Sequence, residues 1–138
     1  TYALYMWEHK TKYKGEFIDV RATTYDQVYH GYGDEIRRPN VVAAVDATRG
    51  VTVQHDGQTV VAVYSARTDG RSRSWKEVWG KVVPYAVSVP IPCEVGQTKW
   101  GHGVGLSMGG ALCMAKDGRT FDEILKYFYM GVELVRRW

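Results

Sequence analysis

The sequence predicts an α+β fold: one compact domain, mainly antiparallel in its strands, with three to four short helices. Three observations lead there. Apolar residues recur at helical spacing in several short stretches that carry start and stop signals. Two β-branched runs flank an Asp56-Gly57 pair, the strongest short-range hairpin signal in the chain. The 138 residues are 45% apolar and 24% charged, without repeats, low-complexity runs or linkers, which suits a single core.

The elements follow in order. Residues 2 to 13 place Ala3, Met6, Trp7, Lys10 and Tyr13 at helical spacing, with Gly15 as the stop. Residues 17 to 22 are a short strand candidate, and residues 23 to 33 read as a polar and aromatic surface loop. Pro39 opens a helix over residues 40 to 48 that ends at Gly50. Strands are expected at 51 to 54 and 59 to 64, and residues 65 to 74 as a solvated loop. Trp75 and Trp79 flank Glu77, and an apolar stretch from 82 to 89 is broken by Pro84. Pro90 and Pro92 then keep the chain extended up to Cys93. A helical stretch over 112 to 115 stops at Asp117-Gly118. Thr120 and Glu123 form a capping box for a last helix, which buries Ile124, Leu125, Phe128 and Tyr129. A strand at 132 to 135 follows. The opening, Thr1-Tyr2-Ala3-Leu4-Tyr5-Met6-Trp7, has no Met and no turn signal. It reads as the interior of a helix, and so as a fragment or a processed product.

The net charge of +3 allows weak attraction to an anionic surface without requiring one. Ten Tyr and five Trp are many for so short a chain. Their flat apolar faces and polar tips suit sugar rings or interfaces. No run of eighteen apolar residues exists, so no membrane span is encoded. Cys93 and Cys113 lack metal-site spacing and are consistent with one disulfide or with two free thiols.

The chemistry concentrates in residues 100 to 111, where five glycines within ten residues surround His102 and Ser107. Ser107 is placed to cap the helix that follows. Gly105-Leu106-Ser107-Met108-Gly109 matches the nucleophile-elbow pattern by letter, but an elbow follows a buried apolar strand and here Gln97-Thr98-Lys99-Trp100 precedes it. The glycine spacing fits neither a dinucleotide fingerprint nor a P-loop. His9, His30, His55 and His102 are scattered, so no metal site and no cofactor are expected. Arg67, Arg71 and Arg73 lie near aromatics, but no recognition motif accompanies them and no nucleic-acid partner is expected.

Several segments together resemble the SpoIID/LytB domain family. Gly101-His102-Gly103-Val104-Gly105-Leu106-Ser107, with Gly110-Ala111, Met114-Ala115 and Gly118, is similar to its GHGVGxSQxGAxxMAxxG signature. Residues 124 to 131 resemble its ILxxYYxG segment. Asp46-Ala47-Thr48-Arg49-Gly50-Val51 with Asp56-Gly57 resembles AVxxTxGxxxxYxG, and Tyr64-Ser65-Ala66 with Gly70 resembles YxxxSGG. Thr24, Gln27 and Tyr29 fit TxxxQxY, and Thr1-Tyr2-Ala3 fits the end of AARTYA. The resemblance covers nearly the whole chain in order, as one domain over residues 1 to 138 that lacks its N-terminal part.

This resemblance implies a lytic transglycosylase of peptidoglycan, which cleaves glycan strands to 1,6-anhydro-muramic ends, outside the cytoplasm. The alternative within the family is a non-catalytic wall-binding or amidase-enhancing module, whose partner would be a cell-wall amidase. Most glycosidases use two carboxyl groups. A lytic transglycosylase uses the C6 hydroxyl of its own substrate as nucleophile, so one Glu can act first as acid and then as base. The family's Glu precedes AARTYA, so it is expected upstream of Thr1 and no catalytic residue is assigned in this chain. His102, Ser107, Gln27, Tyr25, Tyr64 and Tyr2 are the expected sugar-contacting residues. Met108 departs from the family's usual Gln.

Overall fold

The computed structural model describes every residue except Thr11, Gln27, Tyr29 and His30. It is an α+β fold. Among the described residues the helices are α1 (Tyr2–His9), α2 (Tyr32–Arg37), α3 (Pro39–Ala47), α4 (Trp75–Trp79), α5 (Met108–Lys116) and α6 (Phe121–Phe128). The strands are β1 (Val51–His55), β2 (Gln58–Thr59), β3 (Tyr64–Ser65), β4 (Leu106–Ser107) and β5 (Glu133–Arg136). A three-stranded antiparallel sheet has the order β2-β1-β5. The other sheet is a parallel pair, with Tyr64 opposite Leu106 and Ser65 opposite Ser107.

The chain divides into two compact units. The first comprises Thr1–Thr52, Thr59–Val61 and Val135–Trp138, and the second Val53–Gln58 and Ala62–Leu134. In the first, α1 buries Met6 and ends earlier than its periodicity suggests. Lys10 takes the left-handed conformation and its N–H closes on Met6 O, so the helix stops well before Gly15. Asp26 organises the segment after α1. Its shielded carboxylate accepts from Tyr2 Oη at 2.9 Å, Tyr13 Oη at 2.6 Å, Lys12 Nζ at 2.6 Å and the Arg21 N–H at 2.8 Å. Residues 17 to 22 therefore form bends around an anion and not the expected strand, and Phe17 is fully exposed. The helix α2 overlaps the end of the expected loop at Tyr32 and Gly33 and runs on to Arg37, with Asp34 and Glu35 in its first turn, where the helix dipole favours them. Pro39 begins α3, as its missing N–H allows. The C-terminus is fastened through Arg137 N to Gly50 O at 2.9 Å and Thr52 Oγ1 to Val135 O at 3.1 Å.

The second unit carries a core of Ala86, Val89, Ile91, Val104, Ile124, Phe128, Tyr129 and Val132. Asp56 and Gly57 both have positive φ, 49° and 72°, the geometry of a two-residue hairpin turn between β1 and β2. The predicted capping box of α6 is formed, with Thr120 N donating to Glu123 Oε2 at 2.9 Å. Residues 65 to 74 depart from the expected solvated loop, because Ser65, Thr68 and Ser72 are buried. The Thr68 and Ser72 hydroxyls are partners for carboxylate and backbone in the interior: Thr68 Oγ1 donates to Glu94, and Ser72 Oγ accepts from Val89 N at 2.8 Å. The helix α4 was also missed. Its five residues are held by a capping box, Ser74 N donating to Glu77 Oε2 at 2.7 Å. The S-x-x-E pattern of Ser74-Trp75-Lys76-Glu77 is the sequence signal for it. Pro92–Glu94 is a 3-10 turn where an extended chain was expected, since the fixed φ of proline at its first position suits a helical turn as well.

Candidate functional site

The glycine-rich segment is built around the strand that carries Tyr64. Residues Arg67 and Trp100 bridge at one side, with Trp100 N to Arg67 O at 3.0 Å. On the other side β4 pairs with β3, and Gly109 N donates to Ala66 O at 3.1 Å. Between these anchors, Arg73 N donates to Gly103 O at 2.7 Å, and Val104, fully buried, bridges Arg73. Residues 100 to 107 are thus tied at both ends and in the middle. Gly105 shows why glycine is required. Its φ is 70°, and a Cβ there would fall on the Val63 carbonyl oxygen. That oxygen already accepts from Leu106 N at 3.3 Å and Tyr129 Oη at 2.7 Å.

His102 is held by its own loop. Its Nδ1 accepts from the Val104 N–H at 3.0 Å, which leaves the proton of the neutral ring on Nε2. Burial lowers its pKa below the usual imidazole value, and the nearby Lys99 ammonium lowers it further. A hydrogen bond with the Tyr64 backbone works in the opposite direction without prevailing. The ring lies against Trp79, centroids 5.0 Å apart and tilted 52°, and Trp79 lies against Trp75 at 4.4 Å. Trp79 and Tyr64 remain 44% and 41% exposed.

Ser107 is placed differently from His102. It is fully buried, and its Oγ lies 2.8 and 2.9 Å from the two carboxylate oxygens of Glu94. The same oxygen accepts from Gly110 N at 3.2 Å, which is the N-cap role its position suggests. Ser107 therefore donates to a carboxylate, while His102 Nδ1 is committed to Val104, so the two do not form a nucleophile and base. Glu94 was not anticipated from the sequence. It is 2% exposed and also accepts from Thr68 N at 2.9 Å and from Thr68 Oγ1. Its neighbour Cys93 forms a disulfide with Cys113 of α5. The 3-10 turn is thereby fastened to α5 twice, by a covalent bridge and by a carboxylate at the start of the helix. The only hint in the sequence is an acidic residue within an otherwise apolar, proline-bounded stretch.

The three arginines of residues 65 to 74 are engaged by the chain itself. Arg73 grips both oxygens of Asp69 at 2.8 and 2.7 Å, Arg71 reaches Glu77 at 2.9 Å, and Arg67 Nε donates to Thr98 O at 3.1 Å. Arg71 also holds the Glu77 carboxyl down, at about 2, together with the backbone and hydroxyl of Ser74. Among the described residues no group of three or more His, Cys, Asp or Glu is gathered as a metal site would need, and no helix is long and apolar enough to cross a membrane.

The remaining sequence-derived residues belong to the first unit. Tyr2 donates to Asp26 and accepts from Lys12 Nζ at 3.0 Å. Tyr25 is largely exposed, and its carbonyl accepts from the same ammonium at 2.7 Å. Gln27 lies outside the described residues. His102, Ser107 and Tyr64 are brought together in the second unit, on β3, β4 and the loop between their anchors.

No protein-family model matches the chain. It is similar to stage II sporulation protein D of Bacillus subtilis (strain 168), 54% identical over 35 residues, 25% of this chain and 10% of that protein. It is also similar to stage II sporulation protein D of Bacillus amyloliquefaciens, 29% identical over 97 residues, 59% of this chain and 28% of that protein. The matched lengths are thus less than a third of either relative. Both names agree with the resemblance carried by the glycine-rich segment.

Proposed function

We propose that this chain, which is like stage II sporulation protein D, acts on peptidoglycan, binding glycan strands outside the cytoplasm as part of a lytic transglycosylase. The observation that carries the reading is the glycine-rich segment. It combines the family's motif with a rigid loop that presents an uncharged imidazole beside exposed Trp79 and Tyr64. Such a surface offers flat apolar faces to sugar rings, and its backbone is already ordered, so little entropy is lost when a ligand docks. The Cys93–Cys113 disulfide fits an oxidising compartment.

On this reading the domain spans residues 1 to 138 and supplies the sugar-contacting wall. Tyr64 and His102 face the strand, and Tyr2, Tyr25 and Gln27 are further candidates. Ser107 acts by holding the loop. The general acid is assigned to a Glu ahead of the AARTYA segment. It would protonate the leaving oxygen and then, as a base, accept the proton of the attacking C6 hydroxyl. Incubation of the protein, together with its preceding segment, with peptide-free glycan strands tests this. Products with 1,6-anhydro ends, detected by mass, are expected. Intact strands after prolonged incubation would exclude the transglycosylase reading.

One observation favours the second reading, a non-catalytic wall-binding or amidase-enhancing module. Glu94, the carboxylate nearest the loop's anchor at Ser107, is buried and accepts from three donors, so it is committed to the fold. If glycan strands bind but are not cut, and a cell-wall amidase is stimulated by the protein, this module reading replaces the enzyme.

A further inference from the structure

We infer that Trp79 is the sugar-stacking residue of this surface, with His102 serving as its backing and not as an acid or base; the inference rests on the glycan-binding reading above. The imidazole is engaged within the chain. Nδ1 accepts from Val104, and the ring is also influenced by a hydrogen bond with the Tyr64 backbone. The ring also packs against Trp79, centroids 5.0 Å apart.

Trp79 is unusual in being both fixed and open. Its indole is braced by Trp75 and His102, yet 44% of it is exposed. Trp7, Trp100 and Trp138 are more exposed still, so it is the bracing by two rings, and not exposure alone, that sets Trp79 apart. The bracing has a further consequence. A free surface indole loses rotamer entropy when a ligand orders it, whereas this one is ordered beforehand. Its support is built from several directions. The capping box at Ser74 fixes α4, Gly80 ends the helix directly after Trp79, and the Arg73 bond to Gly103 ties the base of α4 to the His102 loop. His102 is neutral, so the ring that backs Trp79 brings no charge of its own, while Lys99, close enough to lower the His102 pKa, holds its Nζ on the Gly101 carbonyl at 3.1 Å. An uncharged pyranose ring, with C–H groups on one side and hydroxyls at its rim, fits such a face.

The test is binding of peptide-free glycan strands by titration calorimetry, with wild type, Trp79→Ala and Trp79→Phe. The alanine variant is expected to bind about tenfold more weakly, and the phenylalanine variant to keep most of the affinity. A wild-type protein that binds and an alanine variant within about twofold of it would overturn the role of Trp79 while leaving the glycan reading intact. A wild-type protein that does not bind would overturn both. Tryptophan emission gives a second measurement that does not depend on the alanine variant folding. Glycan is expected to change the emission of wild type, and the change to be largely lost in Trp79→Phe. An undiminished change in that variant would show that the ligand sits elsewhere.

Discussion

Replacing Glu94 by Ala strands three buried donors at once. The Thr68 N–H, the Thr68 hydroxyl and the Ser107 hydroxyl all point at this carboxylate, and Thr68 and Ser107 are both fully buried. Each unsatisfied buried group costs about 1–3 kcal/mol. The two hydroxyls can rotate toward other acceptors, but the amide cannot, and removing the buried charge returns part of its desolvation cost. A net loss of about 3 kcal/mol is expected, a large share of the 5–15 kcal/mol that holds a typical domain. Glu94→Gln keeps the shape and one acceptor oxygen but turns an NH₂ toward a donor, so about half that loss is expected. Urea unfolding at neutral pH with the disulfide intact measures both. The Cys93–Cys113 bridge persists in folded and unfolded states, so the change reports the polar clasp and not the covalent one. Ser107→Ala in the Glu94→Ala background should cost less than it does alone, because its partner is already gone. A Glu94→Ala loss below about 0.5 kcal/mol, or strict additivity with Ser107→Ala, would refute this account of the clasp.

Two further outcomes are expected. Gly105→Ala combines a positive φ with a Cβ placed on the Val63 carbonyl, so it should destabilise by more than about 2 kcal/mol in the same assay, whereas Gly57→Ala, at a similar φ with open space around it, should cost only about 1 kcal/mol. Equal losses at the two positions would remove the steric part of the argument. His102 should titrate below 6.5 by NMR. Because its folded pKa is depressed, the unfolded chain takes up the proton first, so its contribution to stability is complete above 6.5 and declines as pH falls from there toward the folded value. A folded pKa at or above 6.5 would contradict the neutral, loop-bound ring.

The features that were legible from the sequence are those that depend on near neighbours in the chain. The Asp56-Gly57 turn, proline at the first position of α3, the Ser107 cap and the Thr120–Glu123 box each involve residues no more than three apart, and each is formed. Some misreadings are local, such as the Ser74–Glu77 box of α4, but two of them involve partners further along the chain. Residues 17 to 22 look like a strand by composition, but Asp26 draws the surrounding chain around its carboxylate through Tyr2, Tyr13 and Lys12. Residues 65 to 74 look solvated because they are small, polar and basic, but in a closely packed interior a short hydroxyl is the right size to satisfy a carboxylate or a backbone amide.

By itself the sequence determined the class of fold, the place of the glycine-rich loop and its likeness to a family, since local propensity and spacing carry that information. Tertiary structure alone decided what the groups on that loop can do. Ser107 lost its hydroxyl to Glu94, thirteen residues away, and His102 was left neutral by burial and by the backbone of its own loop. Trp79 was braced against His102 by contacts across twenty-three residues of chain. Burial, hydrogen-bond partners and charge all depend on what folding brings near a group, and no spacing along the chain records them.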